Sequence, residues 1–535
     1  MELISQHTKK IMEECKIRAS AAGLVFADET LEYIVTNRDM LELSPKVMIP
    51  TLYDYWVHDV EVLREIGKYK LYPHNPYETV INSRPAISFY NDNNPDWLNI
   101  MIFYHVLGHI DFFQNNLLFQ RTWNDDFVGQ ALADKRLIES LRSQHGRWVD
   151  YAIEFSRSID NLVGYFETLP KKGFPEDMEP SEKVSFYFYI FLQEIKKVSE
   201  LELFNEIDKY NKLVTQNPSQ ADEAFFAEVR IKYPEFIPVF EKNREKPKQE
   251  CVDIMEYIRD NSPFLRKEEN VWMRSVMNIV RNTALYFGPQ MRTKIINEGW
   301  ASFWHDELFR SDDRIKGNEV AYARLNAGVT SLSRIGLNPY AIGLRLIQHV
   351  EEQANKGKIC TNFQLLKGIE ERENFDQKTG KGREAIFNLR SDFSDFTLVN
   401  TFVTQDFTDE HDLFVVGQRI NQQRGTKEYY IKSRKAEDYK EMLINTMIHP
   451  VKISVDERKT NDKNLYLVHE FENRQIYKPY IPDTLIGIEY LWGAPVQLET
   501  IEIVRTQTKP GEKAVFELRK ILYTSKDGKV LKVNI

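Results

Sequence analysis

Two histidines stand four residues apart in an otherwise apolar stretch, MIFYHVLGHIDFFQNNLLF, residues 101–119. On an α-helix each residue advances by about 100°, so His105 and His109 project from one face, a turn apart. Two imidazoles placed this way can grip one metal ion. A second stretch, KIINEGWASFWHDELF at 294–309, sets Glu298 and His305 seven residues apart, again close to one face. Ala301 and Ser302 lie between them and are small enough to admit a partner helix. Two helices that each carry a polar pair on one stripe can build a site of three or four N and O ligands, here His105, His109, Glu298 and His305. The competing reading is a set of hydrogen-bonded structural histidines in a helical core.

The donor set favours Zn2+, with Fe or Mn as alternatives. A helix-borne His-x3-His pair with a downstream Glu is the zincin arrangement in outline, which leads to the expectation of a zincin-like helical core and a metal-dependent hydrolase acting on an amide bond. One departure is plain. The zincin motif places its general base directly after the first histidine, and here that position is Val106. The candidates for the base are Glu154 and Glu78, either of which could instead orient an imidazole. Asp111 is a poor candidate, because it sits about 200° from His109 around the helix. If all four ligands bind, the site is closed and structural. If three bind, it is open, and His305 serves as proton donor or oxyanion stabiliser. Asn115 and Asn116 are read as a helix cap or as substrate contacts.

The elements that must position these residues follow from pattern. The chain has 535 residues, 42% of them hydrophobic, which suffices for a large helical body and a smaller second unit. Residues 1–70 read as helices and PYETVINSRPAISFY as extended. Asp96 or Pro95 opens the His105 helix, and 130–168, 183–215 and 251–309 read as helical. Residues 216–250 are polar and end in the charge run EKNREKPKQE, read as an exposed connector. From about residue 411 the pattern turns to β-branched and aromatic runs, among them DTLIGIEYLWG. One helix, RKAEDYKEMLINTMI, interrupts them, and an Asp-Gly hairpin signal appears in SKDGKV. The expected organisation is mainly α at 1–410 with a C-terminal α+β module at 411–535. The net charge of −9 gives no basic surplus for nucleic acid. Three scattered cysteines, no run of apolar residues long enough to span a bilayer and no signal-like N-terminus lead to the expectation of a cytoplasmic protein.

Five segments carry a family resemblance: PYETVINSRPAISFY, YHVLGHIDFFQNN, ALYFGPQMRTKIINEGWASFWH, EVAYARLNAGV and LNPYAIG. DLFVVGQR and EYLWGAPVQLET also fit. From about residue 50 onward the chain resembles the SpoVR family of bacterial proteins. That resemblance implies an association with sporulation and the spore cortex, hence peptidoglycan or its precursors. It also implies a stress-response setting alongside a serine protein kinase of the PrkA type and a von Willebrand A-like protein. The chain departs from the family pattern at Asn326, where many members have histidine, and at Asn161. These departures keep a second reading open, a non-catalytic scaffold or partner in a kinase-linked module.

Overall fold

The computed structural model describes residues 2–26, 29–36, 78–119, 127–160, 181–196, 200–216, 220–244, 253–334, 336–359, 368–421, 425–447, 451–471, 475–506 and 515–535, with residues 198, 363 and 366. After strand β1 (Glu2–Leu3) and helix α1 (Gln6–Ala21), β2 (Thr30–Val35) replaces the helix expected across 1–70. Its β-branched Thr30, Ile34 and Val35 suit a pleated surface. Buried Glu32 is held there by the Lys9 ammonium at 2.8 Å and by the Thr30 hydroxyl. The expected helix around LYDYWVHDVEVLREIGKY lies outside the described residues. PYETVINSRPAISFY yields β3 (Glu78–Ile81) and β4 (Ala86–Asn91), as its pattern predicts. The sheet order is β1-β2-β4-β3, with β2 parallel to β4 and β3 antiparallel to it.

Helix α2 (Asp96–Asn115) carries the two histidines. Pro95 is its N-cap, and Asp96 faces the positive end of its dipole. Every residue from Leu98 to Phe113 is buried, so α2 is a central core helix with no solvent face. Helix α3 (Trp148–Asp160) lies elsewhere, packed on α4 (Trp272–Arg292). Residues 221–232 and 236–244 are helical, although the sequence there is polar; of the connector run expected at 241–250, residues 245–250 lie outside the described residues. The reason is visible in Phe225, Phe226, Val229 and Phe236. They close a satellite core with Tyr187, Phe188 and Phe191, and the polar residues around them cover its outside.

Helix α5 (Lys294–Arg310) follows α4 and packs on α2. Then come α6 (Glu319–Val329), α7 (Pro339–Asn355) and α8 (Gly382–Asp392). Glycine permits the closest approaches. A Cβ on Gly108 would lie 2.8 Å from the Ala301 Cα, and one on Gly343 would lie 2.1 Å from the Ile295 carbonyl oxygen. Helices α2, α5 and α7 therefore meet at backbone contact. Buried Asp111 ties them to the rest of the body. It accepts from Trp300 Nε1 at 2.9 Å, from Arg390 at 2.7 Å and from the Val25 amide at 2.8 Å. Asp395 accepts the Ile295 and Ile296 amides, both at 2.9 Å, and so caps the N-terminus of α5 from a distant part of the chain.

The C-terminal part is rich in β-structure. β5 (Val415–Asn421) and β6 (Thr426–Ser433) form a hairpin. The helix Ala436–Thr446 behind them places Tyr439 and Leu443 in the same core as α2 and α5. β7 (Lys452–Val455), β8 (Leu465–Glu470), β9 (Val496–Thr506), β10 (Val515–Lys526) and β11 (Lys529–Asn534) form a sheet in the order β11-β10-β9-β8-β7. The Asp527–Gly528 turn has φ of 53° and 69°, the left-handed pair that a tight hairpin needs. DTLIGIEYLWG, expected to be extended, is helix α9 (Ile481–Trp492). Pro482 suits its first turn, Leu485, Ile488, Leu491 and Trp492 make one apolar stripe, and Gly493 ends it at φ 81°. That stripe shares a second core with the sheet, α3 and α4. Among the described residues no helix is long and apolar enough to cross a membrane.

Candidate metal centre

The contact between α2 and α5 brings three donor atoms together. Nε2 of His109 lies 3.1 Å from Nε2 of His105, and Glu298 Oε2 lies 3.6 Å from the first and 3.9 Å from the second. Their separations suit one small ion, and His105, His109 and Glu298 form the group with metal-ligand geometry among the described residues. A tetrahedral ion with bonds of about 2.0–2.2 Å sets its ligand atoms about 3.3–3.6 Å apart, a spacing that the three distances bracket. Glu298 Oε2 is buried and accepts no hydrogen bond. An acceptor in that state is costly unless a cation or proton completes it.

Each donor is oriented from behind. Nδ1 of His109 lies 2.9 Å from the Asn297 carboxamide oxygen, which makes Nδ1 the protonated nitrogen and leaves the Nε2 lone pair facing the other two donors. The Tyr340 phenol donates to Glu298, and its ring stacks on His105 with centroids 6.1 Å apart. Tyr340 reaches the site because Asn338 caps α7 and Pro339 starts it, which puts residue 340 in the first turn. Burial lowers the pKa of His105 well below its usual value, with the neighbouring rings of His109 and His305 adding to the effect. Burial also lowers His109, to about 4, against the bond to Asn297. The Glu298 carboxyl is pushed up to about 7 by burial, against the Tyr340 bond and the Lys294 charge. The imidazoles are thus neutral and able to ligate. The Glu298 side chain keeps 17% of its surface exposed, while its Oε2 is buried.

The other expected site residues are placed differently. Nδ1 of His305 lies 3.0 Å from Nδ1 of His105, on the nitrogen that faces away from Glu298, and its Nε2 lies 3.0 Å from Asn326. His305 therefore stands behind His105 and outside the group of three. Glu154 is on α3, in the second core. Its side chain is 60% exposed and 3.7 Å from Arg157, and the structure does not bring it to the histidines. Glu78 opens β3, which packs on α2, and its side chain lies outside what the structure describes, as does Asn161. Asn116 is structural: it donates to the carbonyls of Arg390 and Phe393 and accepts from the Leu118 amide.

Sequence reasoning missed Asn297 and Tyr340. Asn297 directly precedes Glu298, and a side-chain amide one residue from a ligand was the available signal. Tyr340 left none, since only the α5–α7 contact brings it near.

The family model described as "SpoVR like protein" matches residues 2–450. The chain belongs to the SpoVR family. This SpoVR-family chain is also 26% identical over 499 residues to the uncharacterized protein YcgB of Escherichia coli (strain K12), a match that covers 87% of this chain and 86% of that protein. No solved structure matches it.

Proposed function

We propose that this chain is a metal-dependent hydrolase of an amide bond with a zincin-like centre. Its divalent ion, Zn2+ by donor type, would be held by Nε2 of His105, Nε2 of His109 and the Glu298 carboxylate. The observation that carries this reading is the convergence of three acceptor atoms, one of them a buried carboxylate oxygen with no hydrogen-bond donor. Three protein ligands would leave a tetrahedral ion one open position. The ion would supply Lewis acidity to a substrate carbonyl.

The chain supplies the rest. Tyr340 steadies Glu298 through its phenol and stacks against the His105 ring. Because Val106 replaces the zincin glutamate, the general base comes from another element. Glu78, on the strand that packs on α2, is assigned that role in preference to Glu154, which is paired with Arg157 on α3. The family's association with the spore cortex points to an amide within peptidoglycan or its precursors. The direct test is metal analysis of purified protein, before and after reloading with Zn2+, Fe2+ or Mn2+. About one equivalent is expected, falling to background in His105→Ala and Glu298→Gln. Less than about a tenth of an equivalent of any transition metal after reloading defeats the proposal.

A further inference from the structure

The β5–β6 hairpin is a sheet of two strands, joined to no third strand among the described residues. A ribbon of two strands seldom holds in water without further cover. The helix Ala436–Thr446 packs against β5. On β6, by contrast, six of eight residues are exposed, and Glu428 and Ser433 are half-buried. The register sorts the side chains into two faces. On one, Val416 stands opposite Ile431, Gln418 opposite Tyr429 and Ile420 opposite Lys427. Ile420 is 71% exposed, Tyr429 52% and Ile431 47%, so this face is apolar and open. The other face satisfies itself. The Tyr430 ring lies over Gly417, where a Cβ would come within 2.5 Å of its Cζ. Glu428 accepts there from Arg419 at 3.1 Å and from Asn421 at 2.7 Å.

Charge selects the occupant. Residues 415–435 carry six Lys and Arg against one acid, Glu428, in a chain whose net charge is −9. Arg419 and Arg434 already hold the carboxylates of Glu428 and Asp412. Lys427, Lys432 and Lys435 are exposed and enter no salt bridge among the described residues. We propose that this ribbon is a docking arm, and that an acidic, extended segment of a partner protein adds to the outer edge of β6 as a third strand. A strand edge presents alternating N–H and C=O groups, which another extended peptide backbone matches. Lys427 and Lys432 attract carboxylates on that segment, and Tyr429 and Ile431 cover its apolar residues at alternate positions. The same positive surplus repels the ribbon of a second copy. Nucleic acid brings no peptide backbone to the edge, and two of the guanidinium groups suited to phosphate are already paired.

The probe is a short fluorescein-labelled peptide of alternating Glu and Val, titrated with the full-length chain at low ionic strength. Saturable binding by fluorescence anisotropy is expected, with slowed amide exchange along 426–433. Lys427→Glu combined with Lys432→Glu should weaken binding by about tenfold or more. Because both lysines are exposed and unbridged, the unfolding midpoint of that variant should not move. Tyr429→Ser should weaken binding about threefold. A peptide of alternating Lys and Val should not bind. No saturable binding, equal binding of the lysine peptide, binding without protection of β6, or unchanged affinity in the lysine variant overturns the proposal. A single-stranded oligonucleotide that displaces the peptide at equal concentration also overturns it, in favour of nucleic acid. So does a wild-type dimer in sedimentation that the lysine variant abolishes, in favour of a second copy.

Discussion

Gly299 and Gly343 meet backbone to backbone, and a Cβ on Gly299 would lie 2.3 Å from the carbonyl carbon of Gly343. The contact sits one residue after Glu298 and three after Tyr340, so it also sets how close the phenol comes to the carboxylate. Gly299→Ala or Gly343→Ala must push α5 from α7. Overpacking of this kind costs about 1–3 kcal/mol or more. We expect a lower urea midpoint for both variants, together with weaker Zn2+ binding. An unchanged midpoint would show that the helices can part freely.

The Glu298 carboxyl gives a stability signature with a definite sign. Its pKa in the fold is raised from 4.5 to about 7 by burial, so the folded state holds its proton longer than the unfolded state. Its contribution is full below pH 4.5 and is lost as pH rises towards 7, by at most about 3 kcal/mol. Glu298→Gln removes that loss along with a ligand. Metal-free Glu298→Gln should therefore gain on metal-free wild type between pH 5 and pH 8 in urea unfolding while failing to retain Zn2+. A stability difference that does not change between those pH values contradicts this.

The histidines act in the opposite direction. His109 is lowered from 6.5 to about 4 and His105 is lowered further, in both cases chiefly by burial. The unfolded chain takes up their protons first. Their contribution is full above pH 6.5 and is lost as pH falls towards 4. Unfolding of the metal-free protein followed across that window should steepen with acid, and His109→Asn should flatten it. Protons also compete for the ligand nitrogens, so Zn2+ affinity should fall over the same range.

Asp111 separates scaffold from site. It sits on α2, two residues after His109, but binds Arg390, Trp300 and the Val25 amide. Asp111→Ala leaves the Arg390 charge buried without its carboxylate, at a cost of about 3–5 kcal/mol. The expected result is a large drop in denaturation midpoint, with the metal stoichiometry of the remaining folded protein unchanged. Loss of metal from folded protein would place Asp111 in the site itself.

Much of the centre was legible in the sequence because helical spacing is a local property. His105, His109 and Glu298 were found by counting turns, and the structure brings their donor atoms together. His305 followed from the same count, but spacing cannot say which nitrogen of which ring a neighbour faces, and it stands behind His105. Tyr340 was invisible because its position depends on a contact between glycines 44 residues apart in the chain. The fold shows the same division. Strands β3 and β4 and the Asp-Gly hairpin were readable, whereas α9 was mistaken for a strand. Its run of Leu and Ile suits either period, and only packing against the β7–β11 sheet and α3 decides between them. The helices at 221–244 were hidden by the charged residues that cover their aromatic core.

The clamp of Asp395 on the first turn of α5 has a consequence for synthesis. The histidines leave the ribosome long before their carboxylate partner, and the group that caps the helix of Glu298 follows about a hundred residues later still. At about 5–20 residues per second, the interval between the histidines and Asp395 lasts about 15–60 s. Through that time the nascent chain carries an unassembled imidazole pair, so any ion it captures is held by two ligands and readily exchanged. On the proposed metal reading, final loading would follow once translation has passed residue 395.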